Sequence, residues 1–319
     1  MIKQKDQVLI LGGHGFIGSH LLARLSELGA KITAVCFSKE KAKQDLDYHV
    51  VYADLSDATT LSDLKNMAFD YVFNLSGYID HTPYFKGGRK VMNSHYVGLM
   101  NLLDVLDRSK LKGFVQIGSS DEYGNLASPQ LETYREAPIS PYSCAKLSAS
   151  HLIQTLARTE NFPGTVLRFF LVYGPGQDNA RFLPQIIQGC LDDKAFPTSK
   201  GEQLRDFCYI DDVVDAMILA ATCEKAKGEV FNIASGDPVS IKSMIQKITT
   251  LVGKGKPQFG EFPYRSGENM SLYADITKAK QLLGWAPSTD LSEGLQKTIA
   301  FYAENRYSDT SVKREGVNT

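Results

Sequence analysis

The run Val8-Leu9-Ile10-Leu11-Gly12-Gly13-His14-Gly15-Phe16-Ile17-Gly18 constrains this chain more than any other stretch. Four apolar residues read as a buried strand. Phe16, His20, Ala23, Leu25 and Leu28 then follow at helical spacing. Gly12, Gly15 and Gly18 fit the pattern G-x-x-G-x-x-G. The first glycine permits a tight turn, the second lets backbone approach a pyrophosphate, and the third lets the helix pack close to the strand. N–H groups left free at the helix start then face the phosphates. Because the loop follows a first strand and opens a helix, it is expected to bind a dinucleotide through Gly12, Gly15, Phe16, Ile17 and Gly18.

The pattern after the loop repeats. Ile32–Val35, Val50–Tyr52, Tyr71–Leu75, Phe114–Ile117 and Thr165–Arg168 are short apolar runs rich in β-branched residues. They alternate with amphipathic stretches, the longest being Val91 to Leu106 and Tyr142 to Thr159. Alternation of this kind predicts an α/β fold, a doubly wound parallel sheet covered on both faces. After Tyr173 the pieces shorten: helices at Phe182–Leu191 and Asp211–Cys223, a strand at Val230–Ile233, and helices near Ser240, Lys278 and Leu291. Residues 1–173 are therefore expected to form a dinucleotide-binding domain to which later segments return. Residues 174–304 are expected to form a smaller interleaved lobe, and 305–319 a polar tail.

Composition narrows the partners. A formal net charge of -1 gives no field that would gather nucleic acid or an anionic membrane. No stretch is long and apolar enough to span a bilayer. Five dispersed cysteines without a CxxC pair suit a reducing compartment, so a cytoplasmic protein is expected. No His, Cys or Asp group has metal-ligand spacing.

The end of the second strand bears on which dinucleotide binds. An acid there would bond a ribose 2′-hydroxyl and repel a 2′-phosphate. Position 36 holds Cys, and Ser38 and Lys39 follow. A hydroxyl and an ammonium attract a 2′-phosphate, which favours NADP(H) over NAD(H). Asp54 and Leu55, after the third strand, are further candidates for the cofactor, with a local turn as the other use for Asp54.

Tyr142 and Lys146 lie four residues apart, on one face of a helix. A neighbouring ammonium stabilises a phenolate, so the pair can exchange a proton with a carbonyl or alcohol. Upstream, the fifth strand ends in Gly118-Ser119-Ser120-Asp121-Glu122-Tyr123-Gly124, at the strand ends that face the ligand crevice in such sheets.

The glycine loop, a strand-end Ser and Y-x-x-x-K, in that order, resemble the extended short-chain dehydrogenase/reductase family in its sugar-nucleotide branch. The likeness runs from Val8 to about Tyr302. It implies Tyr142 as general acid/base, Lys146 as the residue that lowers its pKa and holds the nicotinamide ribose, and a Ser that polarises the carbonyl. Aligned from the left that Ser is Ser120; counted back from Tyr123-Gly124 it is Ser119. The resemblance also places Leu75, Ser76 and Gly77 near the cofactor and Tyr78 at the sugar; Asp121 and Glu122 would meet the sugar as acid and base of a dehydration, or, as the shortened S-D-E-Y-G spacing favours, serve the turn itself. Arg205-Asp206-Phe207-Cys208-Tyr209-Ile210-Asp211-Asp212 and Arg265-Ser266-Gly267-Glu268 resemble its sugar-nucleotide segments. They imply Arg205 and Arg265 at the phosphates and Glu268 at the nucleoside ribose, with Asp211 or Asp212 capping a helix. His95 and Leu171 stand where relatives often carry Asn.

S-D-E-Y-G is closer to the 4-keto-sugar reductases than to the dehydratases. The expectation is therefore NADPH-dependent reduction of a nucleotide-linked 4-keto-6-deoxy sugar. The alternative is a C4 epimerase that retains NAD; a dehydratase or a non-catalytic nucleotide-binding protein stands further off. The resemblance also implies a homodimer.

Overall fold

The computed structural model describes residues 2–37, 48–264 and 267–306. The chain begins β1 (Gln7–Leu11), α1 (Phe16–Glu27), β2 (Lys31–Cys36), β3 (His49–Tyr52), β4 (Tyr71–Asn74). A helical stretch follows as α2 (Arg89–Met92), a π-helical turn (Asn93–Val97) and α3 (Gly98–Val105). Then come β5 (Gly113–Ser119), α4 (Pro141–Glu160), β6 (Gly164–Phe169), β7 (Leu171–Tyr173), α5 (Phe182–Leu191) and β8 (Ala195–Thr198). The rest is β9 (Leu204–Arg205), β10 (Phe207–Tyr209), α6 (Ile210–Thr222), β11 (Val230–Ile233), β12 (Val239–Ser240), α7 (Ile241–Val252), β13 (Lys256–Phe259), β14 (Ser271–Leu272) and α8 (Leu291–Asn305).

Seven strands form the central sheet in the order β11-β6-β5-β4-β1-β2-β3, and every neighbouring pair is parallel. This is the doubly wound Rossmann-type arrangement that the strand–helix alternation predicts. Strand order reverses at β1, which pairs with β2 on one side (Leu11 beside Val35) and β4 on the other (Leu11 beside Asn74). Ligand crevices open at such a switch point, outside the carboxyl ends of the strands.

Alternate residues of each strand feed opposite layers. Val8 and Ile10 pack with α1 and α6 (Leu21, Leu25, Val213, Met217), while Leu9 and Leu11 pack with α3 and α4 (Leu99, Leu102, Ala149, Ile153). Because both faces are covered, β5 is buried along its whole length.

Beyond β7 the chain makes three small sheets, β10-β7, β12-β9-β14 and β13-β8, and β11 returns to the central sheet. Two expectations are corrected here. The helix expected from Val91 to Leu106 is continuous in neither register nor type, because a π turn spans Asn93–Val97 around the buried His95. Neither Asp211 nor Asp212 caps α6; its N-cap is Tyr209. The Asp212 carboxylate instead accepts from Ser288 N–H (2.8 Å), Ser288 Oγ (2.8 Å) and Thr289 N–H (3.2 Å), tying the lobe's last segment to α6. Residues 307–319 of the expected tail, and the positions Ser38, Lys39 and Arg265, lie outside the described residues.

Candidate active site

The glycine loop shows why three glycines stand there. Gly12 has φ +80, and a Cβ on it would sit 2.9 Å from the Leu75 carbonyl oxygen. A Cβ on Gly18 would run into the Gly12 carbonyl oxygen and lie 2.8 Å from the Gly13 Cα, so α1 could not approach the loop. Phe16 opens α1 behind Gly15, and no side chain caps it. The first N–H groups of the helix are thus available to a pyrophosphate, at the carboxyl end of β1. These residues fit a dinucleotide.

At the end of β2, Cys36 is buried and brings no carboxylate. Asp54 Oδ1 accepts from Ser56 N–H (2.9 Å) and Ser56 Oγ (2.7 Å), the local-turn use. Leu55 is in the core against α3, its carbonyl taken by Asn101 Nδ2 at 2.8 Å. Leu75 runs beside Gly12. Ser76 Oγ donates to Asn74 Oδ1 (2.5 Å), Asn74 Nδ2 donates to Gln116 Oε1 (2.8 Å), and Gln116 Nε2 to the Ile117 carbonyl (3.1 Å). This buried amide chain locks the ends of β4 and β5 together. Two polar residues inside apolar strand runs were its signal in the sequence, and only the pairing of β4 with β5 reveals their use.

Gly77 has φ +104, and a Cβ there would collide with the His95 imidazole. His95 Nε2 lies 2.8 Å from the Tyr78 carbonyl oxygen, which can only accept, so Nε2 carries the proton. Burial, then the charge of Lys146, lowers the His95 pKa to about 3, and the ring stays neutral. Its edge packs on Tyr142, centroids 5.3 Å apart at 79°.

Tyr142 and Lys146 come from the first turns of α4. Ser140 caps that helix through the Ser143 N–H, Pro141 occupies its first turn, and Asn161 ends it at φ 54. Both side chains are buried. Lys146 Nζ donates to the Ile117 carbonyl at 2.9 Å, at the end of β5. Burial lowers its pKa to about 8, against the opposing pull of Glu122.

Lys146 was expected to lower the Tyr142 pKa, and the free site does otherwise. Burial raises that phenol well above its ordinary value and the negative charge of Asp121 raises it further, while hydrogen bonding with the Ser119 side chain lowers it. Desolvation of the phenolate outweighs a lysine whose ammonium is committed to a carbonyl. The Lys146 charge is measurable directly. An NMR titration of isotope-labelled lysine side chains in the cofactor-free protein is expected to show one resonance with a midpoint near 8, apart from the bulk near 10.5. A Lys146 that titrates with the bulk would mean the ammonium is solvated.

The turn after β5 separates its residues by role. Ser119 caps it, its Oγ accepting from Asp121 N–H at 3.1 Å, and of the two serines its side chain is the one that opposes the rise of the Tyr142 pKa. Ser120 is buried in the first position of the turn. Glu122 does not face a substrate; of its two expected uses it takes the structural one. It is 0 % exposed. Its Oε1 accepts from Ser119 N–H (2.9 Å), and its Oε2 from Ser150 Oγ (2.9 Å) and Arg168 Nε (2.8 Å). Arg168 also bonds Glu136 at 2.6 Å and lies over the Tyr123 ring. Glu122 is a scaffold carboxylate because its acceptors are already filled.

Asp121 and Tyr78 remain open to the crevice. In the smaller lobe Arg205 pairs with Glu268, so these two expected ligand residues neutralise each other in the free protein, and Arg205 Nη1 also donates to the Leu204 carbonyl at 2.8 Å. No cluster of three metal-ligating side chains exists among the described residues. No described helix is long and apolar enough to cross a membrane.

A glycine loop at the switch point of a parallel sheet, with Tyr142, Lys146 and Ser119 at the neighbouring strand ends, is the arrangement of the extended short-chain dehydrogenase/reductase fold. The model of the NAD dependent epimerase/dehydratase family matches residues 8–234, and the chain belongs to that family. It is similar to the UDP-N-acetyl-alpha-D-glucosaminuronate decarboxylase of Bacillus cytotoxicus, 29% identical, with 94% of this chain and 98% of that protein covered. The dTDP-glucose 4,6-dehydratase of Salmonella typhimurium is 26% identical over 96% of this chain and 95% of its own. Among solved structures, the UDP-glucose 4-epimerase of Thermotoga maritima with UDP-glucose superposes with TM-score 0.86 at 28% identity, covering 94% of this chain and 99% of that one.

Proposed function

We propose that this chain holds NAD and a nucleotide-diphosphate hexose, oxidises the sugar at C4, and returns the hydride to give the C4 epimer. The observation that carries this reading is the buried Tyr142 and Lys146 of α4, set with Ser119 at the strand ends next to the glycine loop. The named relatives are an epimerase, a dehydratase and a decarboxylase. They favour the epimerase alternative over the 4-keto reduction that the spacing of S-D-E-Y-G suggested.

Gly12, Gly15, Phe16, Ile17 and Gly18 would hold the pyrophosphate, and Leu75 to Gly77 with Lys146 the nicotinamide ribose. Bound there, NAD would supply the hydride acceptor for C4 and a positive charge beside it. Tyr142 takes the C4 hydroxyl proton as the hydride leaves, and returns it to the alkoxide on the way back. Ser119 bonds the same oxygen in both states, and Lys146 offsets the developing negative charge. Arg205, Arg265 and Glu268 of the smaller lobe would take the nucleotide diphosphate. Arg205 and Glu268 then exchange each other for ligand groups.

NADP(H) is the second reading of the cofactor, because Cys36 puts no carboxylate at the end of β2. One experiment separates the two. Freshly purified protein is denatured and the released nucleotide identified by mass, and the native protein is then given UDP-glucose, UDP-N-acetylglucosamine and dTDP-glucose in turn. Near-stoichiometric NAD with formation of a 4-epimer is the expected result. Protein that arrives empty, and that oxidises NADPH with UDP-4-keto-6-deoxyglucose, would be a ketoreductase and would overturn the proposal.

A further inference from the structure

The loop between β4 and α2 carries a turn whose apolar side chains the fold leaves outside. Tyr84–Lys86 is one 3₁₀ turn, closed by Lys86 N–H and Gly88 N–H, which both donate to the Pro83 carbonyl at 2.9 and 3.1 Å. A Cβ on Gly88 would collide with the Thr82 carbonyl and lie 2.9 Å from Pro141 Cγ, so the base of the turn is pressed on α4. Phe85, at the tip, is 98% exposed, and its ring meets the edge of Tyr84, centroids 5.4 Å apart at 87°. Tyr84 is itself 46% exposed. Ile79 of the same loop is exposed too, as is Ile139, next to the Ser140 whose Oγ lies 3.3 Å from His81 Nδ1. Packing does not account for a bare phenylalanine on a turn that is already ordered.

The charges around the tip are all of one sign. Lys86, Arg89 and Lys90 are exposed, and none of them is in an ion pair among the described residues. From Thr82 to Asn101 the sequence holds no Asp or Glu. Asp80, at the start of the loop, accepts from the Thr82 N–H at 2.8 Å.

We propose that the turn from Tyr84 to Lys90 docks this protein on the surface of an anionic lipid bilayer. Phe85 and Tyr84 enter the headgroup layer, and Lys86, Arg89 and Lys90 meet the lipid phosphates. Aromatic rings favour the membrane–water interface, and basic residues beside them are drawn to anionic lipid. The formal net charge of -1 supplies no long-range pull, so the attraction is confined to this turn and the attachment is reversible. A second copy of the chain fits the turn poorly. A symmetric contact through it would set three cations against the same three across the axis. The base of the loop reaches the crevice, where the His81 ring packs on Tyr142 with centroids 5.5 Å apart, so docking holds the crevice mouth close to the headgroups. The inference stands apart from the C4-oxidation reading.

The test is co-sedimentation of the full chain with vesicles of phosphatidylcholine alone, and of phosphatidylcholine with about 30% phosphatidylglycerol. The wild type is expected to bind the anionic vesicles and not the neutral ones, and added salt should release it. Phe85→Ser should weaken partitioning by at least ~10-fold, the scale of one buried aromatic side chain. Lys86→Gln/Arg89→Gln/Lys90→Gln should weaken it by roughly 100-fold, from the attraction of each cation to the surface. Phe85→Trp should keep the binding, and its indole emission should shift to the blue on anionic vesicles; Trp285, the other indole, is buried. All four positions are exposed, so the variants should melt with the wild type. Failure to bind anionic vesicles, equal binding to both vesicles, or binding untouched by either the serine or the triple variant overturns the proposal. A dimer that Phe85→Ser dissociates, in a protein that ignores vesicles, gives the turn to a second copy instead.

Discussion

Tyr142→Phe is expected to fold as the wild type does and to lose turnover by about 10³-fold, within the range for removing a positioned acid/base. The substitution deletes one oxygen. The ring keeps its edge contacts with His95 and His81, and beside the hydroxyl it loses stands the Ser119 side chain, which lowers the phenol's pKa. One neutral hydrogen bond contributes about 1 kcal/mol to stability, and Ser119 Oγ keeps the Asp121 N–H. Turnover and thermal melting measured together decide the matter. A melt within a few degrees of wild type with turnover nearly abolished assigns the proton to Tyr142. A variant that turns over at a tenth of the wild-type rate would move the acid/base role elsewhere, with His81 and Asp121 the next groups to examine.

What the sequence made legible follows from how local each feature is. β1, the glycines and α1 could be read because a strand, a turn and a helix start are contiguous, with Gly12 in a left-handed turn and Gly18 pressed on the Gly12 carbonyl; that Gly12 also meets the Leu75 carbonyl could not. The parallel sheet could be read because its central strands are buried on both faces and largely apolar. Tyr142 and Lys146 share a helix face by spacing alone. The state of that pair could not be read. Whether Lys146 lowers a phenol or bonds the Ile117 carbonyl depends on the depth of burial and on a strand 29 residues away. Glu122 looked like a ligand because it follows two strand-end serines. The partners that fill its oxygens, Ser150 and Arg168, come from α4 and β6. The π turn at Asn93–Val97 has no helical-period signal of its own, since it accompanies the burial of His95 against Gly77 and Tyr142. Only tertiary packing sets His81 against Asp121.

Glu122→Ala carries the largest expected cost to stability. It leaves the Arg168 guanidinium, 1% exposed, with Glu136 as its remaining carboxylate. It also strips the acceptor from the Ser119 N–H and the Ser150 hydroxyl. Breaking one side of a buried ion pair costs about 3–5 kcal/mol. For a chain of this size that lowers the melting temperature by roughly 5–10 °C. Glu122→Gln should fare little better, because turning its amide NH₂ toward Oε2's place sets a donor against Arg168 Nε, and the opposite flip sets it against Ser119 N–H. Adding Arg168→Met to Glu122→Ala removes the stranded cation, so the double variant should recover much of the lost stability; a buried pair replaced by apolar groups is often tolerated. Turnover should not recover with it. The Ser119 N–H still lacks its acceptor, the turn that aims Ser119 Oγ at Tyr142 is loosened, and Glu122 no longer supports the charge on Lys146. A double variant with near-normal melting and turnover at least ~10-fold down, on the scale of losing an oriented catalytic hydroxyl, is the expected pattern. If stability and turnover return together, Glu122 holds the fold and does nothing for the site.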